Sequence, residues 1–121
     1  MKIGVIGTKG GWSSEKLADA VAEKTGERIL IGMDQVRLDL PSGNAYYNGH
    51  NLKDFDALII KKIGSRYSPD LLDRLEVLRF LEERGLKIFS SAFSILRVLD
   101  RLSCTITLQL ENIPMPPTTI T

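Results

Sequence analysis

The chain reads as an α/β protein built on a Rossmann-like open, mainly parallel sheet of about four strands with flanking helices. Three features of its 121 residues predict this. Short apolar runs rich in β-branched residues recur at Lys2–Gly7, Arg28–Met33, Asp56–Lys62 and Leu86–Phe89. Longer segments with leucine or alanine at helical spacing lie after the first, third and fourth of them. Gly26 and Gly85 stand where a helix returns the chain to a strand. Strands alternating with helices imply right-handed crossovers and therefore a parallel sheet.

The first run closes on Gly7-Thr8-Lys9-Gly10-Gly11, the pattern of a buried strand meeting a turn. Ser13 and Ser14 offer N-cap oxygens to a first helix whose Leu17, Ala18 and Val21 share one side. After the second strand, Val36-Arg37-Leu38-Asp39-Leu40 alternates strictly and Pro41-Ser42-Gly43-Asn44 turns the chain. This predicts a small hairpin returning through Ala45-Tyr46-Tyr47. Ala57-Leu58-Ile59-Ile60 is a strand covered on both faces. Ser68-Pro69-Asp70 supplies a cap, a proline at the first helical position and an acid in the first turn. The helix it opens carries Leu71, Leu75, Leu78 and Leu81 or Glu82 on one face and stops at Gly85. Ala92, Ile95, Leu96 and Leu99 mark the next helix, and Asp100 caps a last one with Leu102, Ile106 and Leu110, expected to reach Ile113. Thr119-Ile120-Thr121 looks like a strand just begun after a proline-rich junction. One domain over residues 1–113 is expected, with 114–121 leading into another.

Sixteen basic and fifteen acidic residues leave a formal net charge of +1. So weak a field excludes neither fold nor catalysis, but it argues against nucleic acid or an anionic membrane as partner. The amino terminus lacks a signal sequence and no run is long enough to span a bilayer, so a cytoplasmic protein is expected. A single cysteine, Cys104, cannot close an internal disulfide, and a single histidine, His50, has no companion at metal-ligand spacing. No metal ligands are expected in this chain.

Ligands of open parallel sheets bind beyond the carboxyl ends of the strands, so the loops Gly7–Ser14, Lys61–Ser68 and Ser90–Ala92 are expected to line one crevice. The glycine loop fits neither the dinucleotide nor the P-loop spacing, which favours a structural turn over a phosphate cradle. Asp34 could hold a ribose hydroxyl, but without the matching glycines it reads as a solvated turn residue. Lys61-Lys62-Ile63-Gly64-Ser65-Arg66 brings three cations to a strand's carboxyl end. That suits a carboxylate or phosphate, and it equally suits a solvated basic loop. Trp12 reads as packing between helix and sheet, His50 as surface and Cys104 as a small core residue. No catalytic constellation is legible.

Over about half the chain, three segments in order resemble the RimK-like ATP-grasp ligases. Asp56-Ala57-Leu58-Ile59-Ile60-Lys61-Lys62-Ile63-Gly64 is similar to that family's strand ending in basic-Ile-Gly. Asp100-Arg101-Leu102 resembles the Asp-Lys-Leu that opens the last helix of the amino-terminal domain, and Asn112-Ile113-Pro114-Met115-Pro116-Pro117-Thr118 its Gly-Ile-Pro-x-Pro-x-Thr junction. The first half agrees in layout alone. The resemblance implies a pre-ATP-grasp domain, the amino-terminal part of a carboxylate-amine ligase. Such an enzyme uses ATP with magnesium or manganese to turn a carboxylate into an acyl phosphate, which an amine, typically glutamate, attacks to give an amide. The acceptor would be a protein tail, a peptide or a coenzyme. Metal carboxylates and most nucleotide contacts would lie beyond residue 121, so the chain alone is expected to be inactive and to self-associate. The resemblance implies that Lys62, Gly64, Ser65 and Ser90 face substrate and that Arg101 reaches the nucleotide, although a salt bridge at the helix start is another reading of Arg101. Ser90-Ser91-Ala92 departs from the family's Asn-x-Ser. A self-contained module that binds a small anion without catalysis is the alternative.

Overall fold

The computed structural model describes residues 1–121. Four short strands, β1 (Ile3–Ile6), β2 (Leu30–Ile31), a later strand Ala57–Ile60 and a last one Lys87–Phe89, form an all-parallel sheet. Three more strands between them, β3 (Arg37–Asp39), β4 (Asn44–Tyr47) and β5 (His50–Asn51), make a separate antiparallel meander. The later main-sheet strands are therefore β6 and β7, and the sheet order is β2-β1-β6-β7. The expected α/β class and four-stranded parallel sheet are present, and the expected hairpin has a third strand.

Helix α1 (Trp12–Thr25) joins β1 to β2, and α2 (Asp70–Glu83) joins β6 to β7. Successive side chains of a strand point to opposite faces, and the core divides accordingly. Val5 packs with Ala18 and Val21 of α1, flanked by Ile3, Leu30 and Ile59. Ile6, Ile31, Leu58 and Ile88 take the other face and pack with Leu71, Leu75, Leu78 and Leu81 of α2. The meander contributes Ala45 to this larger cluster, followed by Leu52 and Phe55 from the 3-10 turn and loop before β6. Two further helices, α3 (Ala92–Leu99) and α4 (Arg101–Leu110), follow β7. The Ala92 N–H at the start of α3 donates to the Glu82 carboxylate of α2 over 3.2 Å, so Leu81 is the core residue of that pair and Glu82 the tether.

Several local expectations are corrected by tertiary contacts. Helix α1 is capped by Gly11, with no side-chain cap, because the Ser14 hydroxyl is buried and accepts the Thr8 N–H at 3.0 Å instead. At α2 the Ser68 carbonyl, not its hydroxyl, takes the Leu71 N–H, and the N-cap is Pro69. Gly26 and Asp100 behave as read: Gly26 is left-handed after α1, and the Asp100 carboxylate accepts from Ser103 N at 3.1 Å. Trp12 is 77% exposed and staples nothing, since it belongs to neither apolar cluster. Cys104 is only half-buried, because α4 has no buried residue and packs on α3 rather than on the sheet. His50 is half-buried too, its Nδ1 3.2 Å from Lys2 Nζ and its ring edge-on to Phe55. Helix α4 ends at Leu110, and Thr119–Thr121 forms no strand.

Gly4 is the tightest point of the main sheet. A Cβ there would lie 2.7 Å from Ile31 Cδ1, 2.8 Å from Phe55 Cε2 and 2.9 Å from Leu58 Cδ2. All three are fixed in the core, so a methyl group must displace them. Gly4→Ala is expected to lower unfolding stability by about 1–3 kcal/mol in urea titration. A variant of unchanged midpoint would show that this part of the core yields.

Candidate functional site

The connection from β1 runs to β2 on one side, and that from β6 runs to β7 on the other. Neighbouring strands whose connections part in this way leave a crevice at their carboxyl ends. Here it is a polar recess of about 270 Å³. The β1 loop contributes Thr8 and Lys9, the β2 turn Asp34 and Gln35, and the β6 loop Gly64 and Ser65. Asn48, at the tip between β4 and β5, closes one side and Arg74 of α2 another.

Three amides of the glycine loop are taken by its own chain. The Thr8 N–H is taken by Ser14 Oγ, the Gly10 N–H by Glu15 Oε1 at 2.9 Å and the Gly11 N–H by the Thr8 carbonyl at 2.9 Å. Glu15 also pairs with Arg28, which holds Asp19 at 2.8 Å. A carboxylate already occupies the place where a P-loop would hold phosphate, so the structural reading of this loop is the one that fits. The Gly10 N–H, followed by the Arg28 guanidinium, holds the Glu15 carboxyl below the usual glutamate range.

A second, more open groove of about 650 Å³ lies on the other side of the β6 loop. Lys62, Gly64, Ser65 and Arg66 line one wall, and Val98, Asp100 and Arg101 at the α3–α4 junction line the facing wall. Lys62, Gly64, Ser65 and Arg101, which the sequence selects from segments far apart in the chain, are thus brought together. Neither Lys62, Arg66 nor Arg101 forms an ion pair within the chain, so the salt bridge weighed for Arg101 is absent. Asp100 is committed to its capping bond. Tyr67 adds a ring 79% exposed at the groove's edge. Ser90 is exposed at the end of β7 and lines neither recess, so only two of the three expected loops converge.

Sequence reasoning missed Arg74 and Tyr67. Arg74 donates to the Ile63 carbonyl at 3.0 Å and lies against Gly64, where a Cβ would sit 2.6 Å from its Nη1. A cation just past the first turn of a helix gains nothing from the helix dipole, and that was the available signal. A recess of about 400 Å³ at the opposite end of the sheet, lined by Lys53, Arg84 and Lys87, lies at the strands' amino ends, where such sheets seldom bind ligands. No group of three or more His, Cys, Asp or Glu side chains is placed to hold a metal ion. No helix is long and apolar enough to cross a membrane.

No family model matches the chain, and no curated protein matches it significantly.

Glu15 ionises more readily in the folded chain than in the unfolded one. Its bond to the Gly10 amide is therefore fully present at neutral pH and lost as pH falls through the lowered folded value. In an NMR titration the Gly10 amide resonance is expected to move below the ordinary glutamate range, and Glu15→Gln to abolish that movement. A Gly10 resonance indifferent to Glu15→Gln would mean that the loop is held by other bonds.

Proposed function

We propose that the chain forms the substrate-side wall of an ATP-dependent carboxylate-amine ligase of the RimK-like kind, with glutamate or a similar amine as one substrate. The observation that supports this best is the groove between the β6 loop and the α3–α4 junction. It gathers Lys62, Gly64, Ser65 and Arg101, all with roles implied by the resemblance, and adds Arg66. A carboxylate is a poor electrophile, and ATP would supply the phosphoryl group that makes it reactive.

This chain's own contribution is electrostatic. Lys62, Arg66 and Arg101 present three unpaired cations against one committed carboxylate, a balance suited to carboxylate or phosphate oxygens. Cations set in place beforehand stabilise the negative charge that develops as phosphate is transferred and then leaves. Gly64 and Ser65 allow the loop backbone to come close to such a group. In this reading the resemblance assigns the metal ligands to the other ligase domains.

In the whole ligase, phosphate release from ATP is expected to depend on a carboxylate acceptor and an amine. Lys62→Ala and Arg101→Ala are each expected to lower kcat/KM by roughly 1.5–3 kcal/mol. Phosphate release independent of any acceptor, or kinetics unchanged in both variants, would remove the groove from the reaction.

The same reading gives the uncovered face of α3 and α4 a role. Phe93, Val98, Leu102, Ile106 and Leu110 are all exposed there. We assign these exposed side chains to the contact with the remaining ligase domains, since apolar surface left open seeks partners. Light scattering of the 121-residue chain is expected to show concentration-dependent self-association, relieved by Ile106→Lys. A chain that stays monomeric at high concentration would contradict this.

A further inference from the structure

The crevice at the switch point holds a set of polar groups that the ligase reading leaves unused. Lys9, Asp34, Gln35 and Asn48 line it, and none of their side chains has a hydrogen bond or ion pair within the chain. Arg74, half-buried, spends one guanidinium nitrogen on the Ile63 carbonyl and has no acidic partner. Beside it, the Thr8 hydroxyl is buried without any partner. Buried polar atoms are normally paired, so the Thr8 hydroxyl is the group that lacks its usual partner, and the exposed side chains around it are free to turn toward a ligand.

The geometry points to a second ligand site in this crevice, distinct from the groove, for a small oxyanion that carries hydroxyl groups, a hydroxy acid or a sugar phosphate. Lys9 and Arg74 supply the two cations that an oxyanion requires. Asp34 is the one carboxylate on the lining, and with the side-chain oxygens of Gln35 and Asn48 it offers acceptors that hydroxyl donors satisfy. The recess, at about 270 Å³, suits a molecule of a few carbon atoms and not a nucleotide. The glycine loop contributes the Lys9 side chain but not its Thr8 and Gly10 amides, which Ser14 and Glu15 already use. Ser65 belongs to both recesses, so Lys9 and Gln35 are the residues that report on the crevice alone.

The test is an NMR titration of the 121-residue chain, without nucleotide, using D-glycerate, glycerol 3-phosphate, acetate and inorganic phosphate at constant ionic strength. Because no nucleotide is present, the outcome is separable from that of the ligase reading. One of the two hydroxylated anions is expected to give saturable shifts at the Lys9 and Gln35 amides. The better of them identifies the oxyanion as carboxylate or phosphate. Its counterpart without hydroxyls is expected to bind about tenfold more weakly or worse, as in sites built to bond a hydroxyl. Lys9→Gln and Asp34→Asn replace exposed side chains, so the fold is retained. Lys9→Gln is expected to weaken both anions of a pair together, whereas Asp34→Asn narrows the gap between them. The proposal is overturned by shifts confined to residues 98–101, by equal binding of the better hydroxylated anion and its counterpart without hydroxyls, or by no saturable shift at all. L-Serine outcompeting both hydroxylated anions would also overturn it, since Asp34 would then be reading an ammonium group.

Discussion

The leucine stripe of α2 is the contact on which the rest of the molecule depends. Leu71, Leu75, Leu78 and Leu81 are all buried, and their spacing of four, three and three keeps them on one side of the helix. That side meets the inner face of the parallel sheet. The same helix has the meander along one flank, where Leu38 lies near Val77 and Phe80, and α3 along the other, where Ile95 and Leu99 join the cluster. One face of the sheet, the meander and α3 therefore share one apolar centre. The candidate site depends on it too, because Leu71 sits under the β6 loop and Arg74, one turn on, anchors that loop through the Ile63 carbonyl.

The two loops at the switch point use their polar groups in opposite ways. The β1 loop satisfies its amides internally, with Ser14 and Glu15 folded back from the first turn of α1. Those amides are already spent on the chain's own groups, while the Lys9 side chain remains open. The β6 loop leaves Lys62 and Arg66 without acidic partners and opens on both recesses through Gly64 and Ser65. If anionic ligands bind this protein, electrostatics favours the second loop. Its cations need not first break an internal ion pair.

Helix α4 shows how weakly a helical pattern constrains packing when its partner is absent. Asp100 starts it as the sequence suggests, yet Leu102, Ile106, Leu108 and Leu110 are all exposed. They point in directions that one neighbouring helix cannot cover together. The residues after it run back beside it, Met115 and Ile120 near Ile106 and Leu110, without pairing as a strand.

What the sequence determined by itself is what depends on periodicity and on local stereochemistry. The four apolar runs became the parallel strands, the leucines of α2 became the core, and the left-handed Gly26 and Gly85 ended their helices. These outcomes need only near neighbours in the chain. The cap of α1, the exposure of Trp12 and the third strand of the meander were decided elsewhere, because each depends on which distant group competes for a hydrogen bond or leaves a face uncovered. The candidate site divides the same way. Lys62, Gly64, Ser65 and Arg101 were legible one by one as residues at element ends, whereas their meeting in one groove, the exclusion of Ser90 and the arrival of Arg74 required the sheet order β2-β1-β6-β7. Local pattern selects an element and its ends, but only the packing of α2 and α3 on that sheet sets which ends face each other.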